Sequence, residues 1–292
     1  MGSYRRVRAF IKLTRLEHSL ILAAAVVAAE IILGLHIGPY LFVLALIPPI
    51  FVGMGSFAIN DYFDVNVDRR NGRYDRPLVN RSMSRGEAYA IAMLSFLIGI
   101  VASALINMYA FAITAVFAAL AYLYSYRLKE VFLLGNMYIA LTMVIPFIYG
   151  NFVISSALNP NIILISITVF LSGLAREIHG MVRDVKGDTH GRNVRGVVYY
   201  IGKRRSNIFA SILYVLAVAV SLYMFIFMRP FAGNAVYLIP ILAVDIVIIY
   251  NVSIYFRKRA QRYYSLSRNI SLAVMGIAVL VYIVSSLVYV SL

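Results

Sequence analysis

NDYFDVNVDRRNGRYDRP, residues 60–77, places four aspartates and four arginines in eighteen residues, directly after a mostly apolar stretch of more than thirty. Asn60, Asp64 and Asp68 recur at i, i+4 and i+8. If the preceding helix runs on through them, the three side chains lie on one stripe, about 40° apart per step. Carboxylates stacked in this way repel one another unless a cation, or a ligand carrying one, neutralises them. Oxygen donors alone favour Mg²⁺ or Ca²⁺ over softer metals. The DVNVD run also matches the first positions of a calcium-binding loop. That reading fails where Arg69 stands in place of the required glycine and Asp75 in place of the closing glutamate.

The rest of the chain explains why so much charge in one place is unusual. Of 292 residues, 62% are hydrophobic and 13% are charged, against about a quarter charged in an ordinary soluble domain. Runs such as YLFVLALIPPIFVGMGSFAI and SLAVMGIAVLVYIVSSLVYV approach the roughly 20 residues of a bilayer-spanning helix. The chain therefore reads as an all-α, polytopic membrane protein forming a single domain over 1–292. Nine spanning helices are expected at about 18–36, 40–60, 87–107, 110–126, 132–150, 161–177, 205–228, 235–256 and 270–291. There is no cysteine, which excludes disulfides and thiolate metal sites. No small-residue cleavage site follows the first apolar run, so the basic start MGSYRRVRAFIKLTRLEHS reads as a cytoplasmic anchor rather than a cleaved signal.

The net charge of +15 follows the same logic. In a membrane protein, surplus Lys and Arg collect in cytoplasmic loops and set the orientation. On the nine-span reading, 26 of the 27 basic residues fall on one side and only Arg229 on the other. This predicts a cytoplasmic N-terminus, cytoplasmic motif segments and an external C-terminus. Nucleic acid is not an implied partner; membrane lipid is.

A second charged segment, REIHGMVRDVKGDTHGR at 176–192, repeats the theme. Asp184 and Asp188 are again four apart, preceded by Glu177 and interleaved with Arg176, Arg183, Lys186 and Arg192. One such segment is adequately explained as a solvated face with helical ion pairs. Two of them, at helix ends on the same side, argue for a shared site in which acids hold Mg²⁺ and the metal, with nearby Arg and Lys, holds a phosphate-rich ligand. Magnesium is commonly bound by a few carboxylates together with substrate phosphates, so the pattern suits a diphosphate whose remainder lies in the membrane. An ion-coupled transporter would instead predict ionisable residues near the bilayer midplane and paired broken helices.

NDYFDVNVD resembles the NDxxDxxxD signature of the UbiA superfamily of intramembrane prenyltransferases, and DVKGD resembles its second motif. RYDRPL, YSYRLKEVFLLGN at 124–136, PFIYG at 146–150 and REI extend the likeness over most of the chain in the family's order. The resemblance implies nine helices around a central, lipid-open cavity with a cytoplasmic cap. It also implies Mg²⁺-dependent transfer of a polyprenyl group from a polyprenyl diphosphate donor to a lipophilic acceptor. It assigns Asn60, Asp64 and Asp68 to one metal and Asp184 and Asp188 to another. Asp61 fits the motif but points about 100° off the stripe, where it would hold a neighbouring arginine or assist an acceptor.

Arg73, Arg76, Lys186 and Lys129 are candidates for gripping the diphosphate, whereas Arg127 reads as an ordinary loop charge. Tyr124 and Tyr126 offer ring π-density to a carbocation, and His18 in RLEHS stands at the cytoplasmic end of the first span. Glu30 and Asp245 fall inside spans, where acids are functional suspects by default. In many relatives the second motif carries a lysine and an acid where this chain has Gly180 and Met181; Lys186 or Arg183 are possible replacements. YSYRLKEVFLLGN is similar to the archaeal branch that geranylgeranylates geranylgeranylglyceryl phosphate in ether-lipid synthesis. RLEHS is similar to branches that prenylate aromatic quinone precursors.

Overall fold

The structure, a computed structural model, describes residues 2–34, 37–131, 133–191, 197–257 and 261–291. Side chains at 2–3, 184–191, 261–262 and 290–291 lie outside the described residues. The described residues form ten α-helices and one 3₁₀ turn, with no strand among them. The α-helices are α1 (Gly2–Thr14), α2 (Leu16–Ile32), α3 (Pro39–Arg70), α4 (Arg85–Ala104), α5 (Met108–Tyr126), α6 (Leu134–Ile154), α7 (Pro160–Gly191), α8 (Val197–Phe227), α9 (Ala235–Arg257) and α10 (Gln261–Ser291). Eight of them, α3 to α10, are long and apolar enough to cross a membrane. The ninth expected span, α2, has 17 residues and reaches only about 26 Å, just short of the roughly 30 Å hydrocarbon layer. Large apolar side chains such as Leu94, Leu97, Val101, Ile239 and Ile246 are exposed on the outer faces, which suits contact with lipid tails. This is a multi-pass membrane protein.

Several boundaries differ from the sequence expectation. Gly2–Thr14 form a helix of their own, buried on Ala9 and Leu13 and exposed on Tyr4 and Val7. An amphipathic surface helix of this length carries no spanning signal. Asn151 does not break α6, which runs on to Ile154. Both motif segments prove helical: α3 and α7 are each 32 residues long, where spans ending near 60 and 177 were expected. The continuation of α3 through Asp64, Asn66 and Asp68 also rules out a calcium-binding loop there. In α8, Gly202 has φ +76° and ψ 164°, breaking the helix in a conformation suited to glycine.

The chain divides into two compact units. The first comprises Met1–Val27, Ile37–Lys129 and Phe152–Ser156, and the second comprises Ala28–His36, Glu130–Asn151 and Ala157–Leu292. In the first unit, α3 is the central element. A Cβ at Gly55 would come within 2.8 Å of the Phe96 ring and 3.0 Å of the Ala92 carbonyl, so only glycine lets α4 approach this closely. Gly53 plays the same part against Ser19 of α2.

In the second unit, amide side chains tie helices to backbone carbonyls. Asn207 of α8 donates to the Tyr255 carbonyl of α9 at 3.2 Å, and Asn251 of α9 to the Ser267 carbonyl of α10 at 2.8 Å. Where water is scarce, such bonds satisfy backbone groups and fix helix register.

Candidate active site

The first acidic motif sits on the last turns of α3, and the sequence after it explains how the helix ends there. Gly72, at φ +67°, donates its N–H to the Arg69 carbonyl, and Arg73 N–H donates to the Asp68 carbonyl at 3.0 Å. This is a Schellman cap, with glycine at the position that needs a left-handed backbone. The cap folds the chain back so that Arg73 and Arg76 return toward the helix they have just left. Ser84 and Glu87 then start α4 with a reciprocal capping box.

Three carboxylates in this end of α3 are almost fully buried: Asp61, Asp64 and Asp68 are 2%, 5% and 3% exposed. Each meets a basic group. Lys129 Nζ stands 2.6 Å from Asp64 Oδ1, Arg73 Nη1 3.3 Å from Asp68 Oδ1, and Arg76 Nη1 2.7 Å from Asp61 Oδ1. Asp61 Oδ1 also accepts from Arg15 Nη2 at 3.1 Å. Asp61 is thus bracketed by two guanidiniums, off the stripe formed by Asn60, Asp64 and Asp68. The side chain of Asn60 is half-buried and makes no protein hydrogen bond among the described residues.

Arg15 was not singled out by the sequence. It lies in the turn between α1 and α2 with φ +43°, a backbone region that costs a non-glycine residue on the order of 1–3 kcal/mol. That turn carries its guanidinium over the Phe57 ring, 4.6 Å from the centroid, and on to Asp61. Burial and the neighbouring Arg76 lower the Arg15 pKa, while Asp61 pulls it back up; a guanidinium remains charged throughout. A partner 46 residues away in sequence leaves no trace in local spacing.

The weaker candidates are placed as follows. His18 is exposed, with Nδ1 3.3 Å from Glu17 Oε1 and its ring edge-on to Phe57. Tyr126 is exposed and packs on Phe63, at 5.6 Å between centroids. Tyr124 is half-buried on α5, and Arg127 is exposed at the end of that helix. Asp184, Lys186 and Asp188 lie on the segment of α7 whose side chains are outside the described residues. The described part of the second motif is a cluster of Arg176, Glu177, His179 and Arg268. His179 is 2% exposed and stacks on Tyr255, with ring centroids 3.6 Å apart.

The donor chemistry at the end of α3 fits a hard cation. Asn60, Asp64 and Asp68 offer only oxygen from side chains, and the carboxylates are buried yet held by basic groups that a metal and its diphosphate ligand would rearrange. Among the described residues, no group of three or more His, Asp or Glu side chains converges as a metal cluster. An ion at this site would therefore depend on Asn60, on the second motif or on substrate oxygens for further ligands.

These features define a polytopic all-α membrane protein with a buried acidic stripe and returning arginines at one helix end. The chain belongs to the UbiA prenyltransferase family, matching it over residues 19–273. It is 37% identical over 252 residues to the digeranylgeranylglyceryl phosphate synthase of Archaeoglobus fulgidus, covering 84% of each protein. The enzyme of the same name from Sulfurisphaera tokodaii is 30% identical over 246 residues, or 83% of this chain and 86% of that one. A solved structure of a digeranylgeranylglyceryl phosphate synthase superposes with a TM-score of 0.81 at 26% identity, over 96% of this chain and 98% of that one. A UbiA homologue from Archaeoglobus fulgidus bound to GPP and Mg²⁺ shares the fold at a TM-score of 0.65 and 21% identity, over 94% and 99% of the two chains. The chain is a membrane-embedded prenyltransferase.

Proposed function

We propose that this prenyltransferase moves a geranylgeranyl group from geranylgeranyl diphosphate to the free hydroxyl of geranylgeranylglyceryl phosphate, forming the second ether bond of an archaeal lipid core. The observation that carries this reading is the 37% identity to an enzyme of that name across 84% of both chains. The identity spans both motif segments, and the relative from Thermococcus kodakarensis matches over 96% of this chain. The aromatic-acceptor alternative rested on RLEHS, and none of these relatives carries such a name.

In this reading the C1–oxygen bond of the allylic diphosphate breaks with its electron pair leaving on the diphosphate. The acceptor hydroxyl oxygen then attacks the delocalised cation and gives up its proton to the released diphosphate. Mg²⁺, when bound, supplies positive charge that stabilises the departing diphosphate. Asp64 and Asp68, with Asn60, would hold one ion, and Asp184 and Asp188, on their sequence, would hold a second. Lys129 and Arg73 exchange carboxylate partners for diphosphate oxygens as the substrate enters. Arg76 is fixed by Asp61 and adds a rigid positive charge beside the stripe. Asp61 and Arg15 orient Arg76 and touch no reacting atom. The N-terminus and both motif segments face the cytoplasm, as the one-sided distribution of basic residues supports.

The test is turnover of radiolabelled geranylgeranyl diphosphate by the purified full-length protein in lipid nanodiscs. The expected result is Mg²⁺-dependent formation of a doubly alkylated glyceryl phosphate. Product formed only with an aromatic acceptor, or turnover undiminished by EDTA, would overturn the assignment.

A further inference from the structure

The second motif contains a charge imbalance that the mechanism above does not use. Glu177 Oε1 lies 3.1 Å from Arg176 Nη1 and 3.6 Å from Arg268 Nη2, so a single carboxylate oxygen faces two guanidiniums. Among the described residues neither arginine has another acidic partner. Arg176 is 9% exposed, and the Nε atoms of both arginines are buried without a hydrogen-bond partner. Among the described residues, a buried guanidinium and a partly exposed one share a single carboxylate, which leaves positive charge and donors that an anion would satisfy.

The backbone shows how the pair comes about. Gly180 lies three residues beyond Glu177 and four before Asp184. A Cβ at Gly180 would sit 3.6 Å from Arg268 Nε and 3.9 Å from its Cζ. These are ordinary contact distances, so an arginine from α10 packs directly on α7 at Gly180, immediately before the acidic residues of the motif. Gly180 and Met181 bring no charge of their own, and α10 delivers one instead. The stack of His179 on Tyr255 and of Tyr255 on Tyr264, with centroids 3.6 Å and 5.0 Å apart, packs α7, α9 and α10 beside it. The Arg268 side chain is 30% exposed, which leaves room for a ligand to approach.

We propose that Arg176 and Arg268 form a binding site for the phosphate group of a lipid substrate, with Glu177 holding the two guanidiniums in place. The planar fork of arginine matches phosphate oxygens bidentately, and the guanidinium of Arg268, partly exposed, is the one an incoming phosphate meets first. The inference rests on the proposed function only for the identity of the ligand. Phosphate reaches this enzyme on two molecules, the diphosphate donor and the phosphomonoester acceptor.

The experiment compares wild type, Arg268→Gln, Arg268→Lys and the exposed surface control Arg204→Gln, all full length in nanodiscs. Initial rates are measured against each substrate with the other saturating. Arg268→Gln should raise KM for one substrate about tenfold, the weight of one charge-assisted contact, with kcat within about threefold. The substrate whose KM moves is the one the pair binds. Arg268→Lys, which keeps the charge and loses the fork, should fall between. KM values for both substrates within twofold of wild type, or an equal shift in Arg204→Gln, would overturn the proposal.

If the wild-type enzyme turns over neither substrate pair, the proposed function fails separately, and inorganic phosphate in EDTA reads the site directly. Phosphate should then raise the thermal midpoint of wild type and Arg204→Gln but not that of Arg268→Gln. No rise in wild type, or the same rise in Arg268→Gln, would refute the site.

Discussion

The molecule has two populations of buried carboxylates, and they are treated in opposite ways. Asp61, Asp64 and Asp68, at the end of α3, are each within 3.3 Å of a lysine or arginine. Glu30 and Asp245, within α2 and α9, have no ion pair among the described residues. Asp245 accepts from Ser221 Oγ at 2.7 Å and borders a cavity of about 30 Å³ with Thr168, Ser172 and Tyr282. Both Glu30 oxygens are without a hydrogen-bond partner. In the first population charge meets charge, so each acid can exchange one cation for another, which is what metal and substrate binding require. In the second no cation meets the carboxyl among the described residues, only the Ser221 hydroxyl at Asp245 and no hydrogen-bond partner at Glu30, so neutral isosteres should serve nearly as well. Burial alone therefore does not separate the two populations, whereas a cation beside the carboxylate does.

Substitutions that break this contrast should rank accordingly. Asp64→Ala and Asp68→Ala should lower kcat/KM about 10³-fold or more, about 4 kcal/mol of transition-state stabilisation. Helical circular dichroism should be unchanged. Near-normal turnover in either variant would remove that residue from the site. Arg76→Ala leaves Asp61, 2% exposed, with Arg15 alone. It should cost roughly 2 kcal/mol in chemical denaturation, less than the loss of a lone buried partner because one guanidinium remains. A stability equal to wild type would show that Arg15 suffices.

Smaller effects follow. Lys129→Gln should raise KM for the diphosphate donor about tenfold while Asp64 keeps its metal role; an unchanged donor KM would leave Lys129 as a structural partner only. Asp245→Asn retains an acceptor for Ser221 and should change stability by less than about 1 kcal/mol and activity by less than twofold. A large loss of activity there would erase the distinction between the two populations. Glu30→Gln should be neutral or slightly stabilising, because the native oxygens have no partner to lose. A marked drop in thermal midpoint would point to a cation or water held by Glu30.

The spacing of Asn60, Asp64 and Asp68 was legible because a 3.6-residue period links positions four apart without reference to the rest of the fold. The basic residues nearest in sequence, Arg73 and Arg76, were legible for a related reason, since a short turn can only return them to the helix they follow. Arg15 was not, because its pairing depends on a left-handed turn between α1 and α2. The neighbour of Gly180 was also hidden, since only the packing of α10 on α7 shows that Arg268 lies against it. Helix ends were misjudged where polarity was read as the end of a helix: α3 and α7 continue well past the apolar run, and in α3 ion pairs stabilise the last turns in place of lipid. The amphipathic α1 was missed because hydropathy over a spanning window averages away a stripe only one face wide.

The length of α3 has a consequence for the membrane in which the enzyme works. Thirty-two residues span about 48 Å, some 18 Å more than a typical hydrocarbon layer. With the apolar part of α3 in the hydrocarbon layer, the surplus would carry Asp61 to Asp68 into the headgroup zone. Lipid thickness thus sets the height of the acids above the oily layer: a thicker bilayer would draw them toward hydrocarbon, and a thinner one would lift them into water. Hydrophobic mismatch would then act on catalysis as well as on helix tilt, so the enzyme's rate would sense the chain length of the lipids around it.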